Sequence, residues 1–145
     1  MGDKDLRAKH LEFIEASIAR MGQNSFQMKG WAIAVLAALT VLYIENDSWL
    51  SLAVLFVSIS VFWCLDGYYL YQERRFRDLY DAVVRDMGRM GGEDVEVPLF
   101  SMKLLGEFRC SGWLGAVFSS TLSGMYVPLL LIVAFMFANH FGVAF

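Results

Sequence analysis

Residues 30–70 read GWAIAVLAALTVLYIENDSWLSLAVLFVSISVFWCLDGYYL. Two apolar runs, Gly30 to Ile44 and Trp49 to Leu70, are parted by Glu45-Asn46-Asp47-Ser48. A connection that short forces the two runs into an antiparallel hairpin. The turn carries acids and no Lys or Arg. A third apolar run, Trp113 to Ala138, follows later. Lys4, Arg7, Lys9, Arg20 and Lys29 precede the first run. Arg74, Arg75, Arg77, Arg85, Arg89, Lys103 and Arg109 lie between the second and third. All twelve basic residues therefore fall on one side of a three-span topology. The positive-inside rule gives a cytosolic N-terminus, a short outer turn, a large inner segment and an outer C-terminus.

Composition agrees with an integral membrane protein. The apolar fraction is 57 %, where soluble domains sit at about 45–50 %. With 145 residues the chain is a single membrane domain. The fold expected is all-α: an amphipathic helix over 1–25, spans at 26–44, 49–71 and 113–139, and an inner segment over 72–112. About 25 polar or amphipathic residues precede the first span, which does not suit a cleaved signal. Cys64 and Cys110 fit neither a disulfide in a reducing cytosol nor a metal spacing.

Leu11, Ile14, Ile18, Met21, Ser25, Met28, Ala32, Val35, Leu39 and Leu42 make a heptad-like stripe from the N-terminal segment into the first span. It either packs on the chain's own inner helix or forms a seam between subunits. Gly30 to Ile44 would rise only about 22 Å, so the span draws in Phe26 to Lys29. Lys29 then snorkels to the inner headgroups, with Trp31 at the interface. Tyr68, Tyr69 and Tyr71 form the inner aromatic belt of the second span. Helical spacing continues past them, with Phe76, Leu79, Tyr80, Val83 and Met87 on one face, so the second helix extends inward as a stalk. Gly91-Gly92 ends it. An acidic loop over Glu93, Asp94 and Glu96 and an alternation of Val95, Val97 and Leu99 around Pro98 follow. Ser101 then caps a short helix with Met102, Leu105 and Phe108 on one side.

The third span carries Gly112, Ala116, Ser120, Gly124 and Pro128 at four-residue steps. Such a ladder lets helices approach closely in lipid. Pro128 frees the Gly124 carbonyl, so a kink or gating hinge is expected there.

Catalysis finds no support. His10 and His140 belong to opposite sides of the membrane, and no nucleophile motif, metal cluster or phosphate loop is present. No cofactor or metal is implied. Asp66 is the one acid at the edge of a span, where a charge needs a partner. Lys29 and Arg20 come to similar depth, and Asn24 can donate a hydrogen bond. The site is either a structural pair between spans or a charge at the inner mouth of a pore, with Lys29 and Asp66 as pair or gate. Arg74, Arg75 and Arg77 either set topology and bind headgroups or form an anion site. Repeated around an oligomer axis, they would suit a nucleotide or a single-stranded oligonucleotide, with the interleaved aromatics stacking bases. Three spans cannot enclose a pore, so any channel is a homo-oligomer.

Asn24 to Trp31 (NSFQMKGW), Phe62 to Arg74 (FWCLDGYYLYQER) and Tyr126 to Leu131 (YVPLLL) resemble the motifs of a family of small bacterial membrane proteins. That family is similar to membrane effectors of antiphage defence, the Hailong type among them, in which a nucleotidyltransferase controls the effector through a nucleotide or oligonucleotide. The resemblance implies an oligomeric ion channel that depolarises the infected cell, and the first reading here is a tetramer in the bacterial inner membrane. The resemblance also implies a cognate nucleotidyltransferase as partner. Two other readings stand beside it. One is a scaffold that docks a soluble partner on the Phe76, Tyr80, Val83, Met87 face. The other is a holin-like lesion former without a ligand.

Overall fold

The computed structural model describes residues 3–88, 98 and 100–142. The Gly91-Gly92 helix stop, the acidic loop, the Val95, Val97 and Leu99 alternation, and Arg89 lie outside the described residues. Four helices follow in order: α1 (Asp3–Asn46), α2 (Trp49–Gly88), α3 (Cys110–Val117) and α4 (Ser120–His140). No strand occurs among the described residues. Helices α1, α2 and α4 are each long and apolar enough to cross a membrane. Their outward faces carry large apolar side chains such as Trp31, Ile44, Val57, Leu131 and Phe135, as lipid contact requires.

The N-terminal segment expected to be amphipathic and the expected first span lie in one unbroken helix of 44 residues, about 66 Å long at the α-helical rise. The second span and its extension are likewise one helix of 40 residues. Nothing between Asp3 and Asn46, or between Trp49 and Gly88, includes a proline, so neither hydrogen-bond ladder is interrupted. Asp47, between them, takes φ 44, a left-handed turn that aspartate tolerates. Its N–H donates to Tyr43 O at 2.8 Å, and Asn46 Nδ2 donates to Leu42 O at 2.9 Å. Two carbonyls of the last turns of α1 thereby gain a donor.

Two cores hold the hairpin together. At its basic end, Ile14 of α1 packs with Leu79, Ala82 and Val83 of α2, flanked by Leu11, Ile18, Phe76 and Tyr80. Further along, Ala32 and Leu36 of α1, Leu55 and Ile59 of α2, and Leu122, Tyr126 and Val133 of α4 form the second core. The inner part of the stripe on α1 therefore packs within the chain, while Leu42 at its far end is exposed. Its burial shifts from the expected Val35 to Leu36. A straight helix drifts about 20° per heptad from a strict seven-residue repeat, so the buried line moves off the stripe. The face of α2 that the sequence offers as a docking surface for a soluble partner is covered by α1.

The charged surface of this core leaves one measurable mark. The Glu15 carboxylate raises the Tyr80 phenol above its usual range by its charge first, then with partial burial, a hydrogen bond and Asp81. A raised value favours the neutral phenol in the fold. Its contribution is full below the unfolded value and is lost as pH rises through the folded one. The Tyr80→Phe difference absorbance titration is expected to show a midpoint above free tyrosine, falling back in Glu15→Gln.

The third apolar segment differs from the expected single helix over 113–139. It is two helices, parted at Phe118 and Ser119, where Ser119 takes an extended backbone (φ −65, ψ 151). Helix α4 runs on through Pro128 without a break. The discontinuity therefore falls nearer the basic end than the proline hinge expected. It also splits the small-residue ladder. Ala116 is buried and Gly112 sits against Tyr71, whereas Ser120, Gly124 and Pro128 face outward. With 21 residues, α4 spans about 32 Å by itself.

The helix expected after Ser101 is absent. Residues 100–109 form a non-helical strap, with Phe100 at φ 59 and Gly106 at φ 70. Its carbonyls are taken up by side chains of the hairpin: His10 Nε2–H donates to Ser101 O at 3.0 Å and Arg75 Nη2 to Gly106 O at 2.8 Å. Phe100 packs on the rings of His10 and Phe13. At the opposite end, His140 Nδ1 lies 3.2 Å from Asp47 Oδ1 and its ring meets Tyr43, closing α4 onto the hairpin turn.

Candidate functional site

Ser25 and Lys29 stand one turn apart on α1, so both project from the face that meets α2. Asp66 of α2 lies about 25 Å from Trp49 along the helix axis. Its side chain is 0 % exposed, against 24 % for Lys29. Lys29 Nζ reaches Asp66 Oδ2 at 2.7 Å and donates to Ser25 Oγ at 2.8 Å. Ser25 Oγ donates to Asp66 Oδ1. Tyr126 of α4 completes the group, its hydroxyl donating to Asp66 Oδ2 at 3.2 Å. One carboxylate thus accepts from both other long helices.

The chemistry of this cluster is electrostatic. A buried carboxylate is tolerable only when paired and hydrogen-bonded. Three donors satisfy Asp66, and the ammonium keeps a partial route to water along its own stem. Among the described residues, no group of His, Cys, Asp and Glu is placed to hold a metal ion.

Trp63, one turn from Asp66, supports the cluster from the side. Its ring stacks on Tyr126 at 5.9 Å and meets Phe118 edge-on at 5.6 Å. Its indole N–H donates to Val117 O at 2.8 Å. That carbonyl ends α3 and lacks a helical partner, so the indole satisfies the break in the third segment. Gly67 makes the close approach possible: a Cβ there would overlap Val117 Cγ2 and lie 3.1 Å from its Cα. Gly112 similarly admits Tyr71, whose hydroxyl accepts from the Arg109 N–H at 3.1 Å.

The structure brings the expected Lys29 and Asp66 together, and it does not gather the three arginines. Arg74 is exposed. Arg75 lies over the Tyr71 ring at 5.7 Å and holds the strap through Gly106. Arg77 pairs with Glu73 at 2.6 Å on the exposed side of α2. Arg75, one and two residues from Arg74 and Arg77, points another way, whereas Arg74 and Arg77, three apart, share an exposed face of the helix. Within one chain the three form no common anion cradle.

Sequence reasoning does not single out Ser25, Tyr126 or Trp63 as site residues. It points to Asn24 as the donor, and the neighbouring Ser25 fills that place. The signal for Ser25 is its four-residue spacing from Lys29. Tyr126 has no local signal, since its partner is 60 residues away. Comparison with known proteins adds no relative: no family model, curated protein or solved structure matches the chain.

Proposed function

We propose that the chain is the subunit of a homo-oligomeric, tetrameric channel or pore in the bacterial inner membrane, with its N-terminus in the cytosol and its C-terminus outside. A nucleotide or oligonucleotide, made by a cognate nucleotidyltransferase, acts on the basic inner end. Channel opening depolarises the membrane, and the protein serves as an antiphage effector. The family resemblance supports the defence role and the ligand class. The observation that carries gating is the fully buried Asp66, held by Lys29 and Ser25 of α1 and by Tyr126 of α4.

An ionisable group at membrane depth is expensive and marks a functional element by default. Relative movement of any of the three helices breaks a bond to Asp66, which gives the subunit two discrete arrangements rather than a continuum. The route to a ligand is short. Arg75, on the same helix, pins the strap, and the strap leads directly into α3 against Gly67. A ligand that draws Arg74 or Arg75 away shifts α3 and loosens the Trp63–Val117 hydrogen bond beside the cluster. The ladder residues that face outward, Ser120, Gly124 and Pro128, suit contact between subunits.

The test is single-channel recording from purified protein in planar bilayers, with and without nucleotides and short oligonucleotides on the basic side. Discrete currents that change with ligand, and a response lost in Arg74→Ala/Arg75→Ala, are the expected result. Silence under every ligand, from protein shown to be folded and oligomeric, defeats the channel reading and leaves a membrane scaffold.

A further inference from the structure

A second site lies at the basic end, in a groove of about 530 Å³ between α2 and the strap, walled by Tyr71, Arg75, Asp78, Glu107, Arg109 and Ser111. Arg75 is set in place by Gly106 O and the Tyr71 ring. The Asp78 and Glu107 carboxylates and the Arg109 guanidinium have no side-chain hydrogen bond or ion pair among the described residues. Two cations and two anions therefore line one groove with no ion pair closed between them among the described residues. A polyanion such as a nucleotide meets two carboxylates there. A ligand that carries both signs a few bonds apart satisfies both.

We propose that this groove binds an aminoalkyl phosphate zwitterion, the headgroup chemistry of phosphatidylethanolamine. The phosphate bridges Arg75 and Arg109, with the Ser111 hydroxyl as a further donor. The primary ammonium donates to Asp78 and Glu107. Charge-assisted bonds of this kind are the strong ones. The surroundings suit a lipid as the source. Phe100, Met102, Leu105 and Phe108 of the strap are all exposed, and Tyr71 lines the groove. The lipid source rests on the membrane reading of the helices; the headgroup chemistry does not. The groove shares Arg75 and the strap with the channel proposal but does not require conduction, since a scaffold would bind the same ligand.

The experiment is lipid competition by native mass spectrometry on the full-length protein, with phosphatidylethanolamine and phosphatidylcholine of matched chains. A trimethylated ammonium cannot donate to Asp78 or Glu107, so about a tenfold preference for the ethanolamine lipid is expected. Asp78→Asn/Glu107→Gln removes the preference while phosphatidylcholine binding and the thermal midpoint hold. Arg109→Gln weakens both lipids. A parallel titration uses free phosphoethanolamine against lipid-depleted protein in detergent. Its binding without lipid preference keeps the chemistry and assigns a soluble source. Equal retention of the two lipids together with no binding of free phosphoethanolamine overturns the proposal.

Discussion

Lys29→Met is expected to destabilise the folded subunit by about 3–5 kcal/mol, the cost of removing one partner of a buried ion pair. Asp66 is fully buried, so the substitution leaves a carboxylate in the interior with only Ser25 and Tyr126 as donors. The reverse change is expected to cost less. In Asp66→Asn the amide still accepts a hydrogen bond, and Lys29, 24 % exposed, can turn its ammonium toward water. The double variant Lys29→Met/Asp66→Leu should recover most of the loss, because a buried pair exchanged for apolar groups of similar volume is often neutral or stabilising. The measurement is reversible unfolding in mixed micelles, followed by far-UV circular dichroism. If Asp66→Asn proves as costly as Lys29→Met, the argument from uneven burial is wrong. A channel reading adds a second readout: each single variant raises ligand-independent current, because the cluster that holds the three helices in register has been loosened.

Why the cluster matters to stability follows from the solvent. At the basic end, Ile14, Leu79 and Val83 gain from leaving water. Between spans in a bilayer that gain is absent, since lipid tails are as apolar as leucine. The second core then relies on close packing and on polar interactions. Asp66, Trp63 and Tyr126 supply those interactions where α1, α2 and α4 meet.

The sequence reveals what is local or periodic. The hairpin follows from four residues, Glu45 to Ser48, between two long apolar runs. The extension of α2 follows from unbroken helical spacing past Leu70. Depth along an antiparallel hairpin brings Asp66 level with Lys29 and Arg20, and the structure pairs it with Lys29. The break at Phe118 and Ser119 does not follow, because Gly112 to Gly124 has the regular spacing of a continuous helix. What interrupts it is tertiary: the Trp63 indole donates to the orphaned Val117 carbonyl, and Gly67 leaves room for the Val117 side chain. The strap is hidden from the sequence for a similar reason. Ser101 has a capping sequence, but His10 and Arg75 take the carbonyls of Ser101 and Gly106. The arginines show the limit in another way. Adjacent basic residues read as a cluster in sequence, yet Arg75 turns to the strap while Arg74 and Arg77 stay on the exposed face of the helix.

Gly67→Ala is expected to cost about 1–3 kcal/mol as overpacking, and more if it also breaks the Trp63 hydrogen bond. The added Cβ would overlap Val117 Cγ2, and valine has little freedom at χ1 to withdraw it. It would also stand 3.1 Å from Val117 Cα, so backbone must yield as well. Helix α3 moves off α2, and the Val117 carbonyl retreats from the indole. A carbonyl left unpaired away from water carries its own desolvation cost. Two readouts separate these effects: the thermal midpoint in micelles reports the total, and the Trp63 indole N–H resonance reports the bond. Val117→Ala in the same chain removes the clash with Cγ2 but leaves the new methyl pressed against the α3 backbone, so it should restore only part of the stability. Gly115→Ala and Gly124→Ala serve as controls, because nothing lies within 4 Å of a Cβ at either position. Within one subunit each is expected to be neutral, or stabilising by about 0.5–1 kcal/mol from helix propensity. A Gly124 variant with a normal subunit fold but weakened assembly would identify the outward part of the ladder as a subunit interface. Should Gly67→Ala match those controls, the close packing of α3 on α2 would not be what holds the broken segment in place.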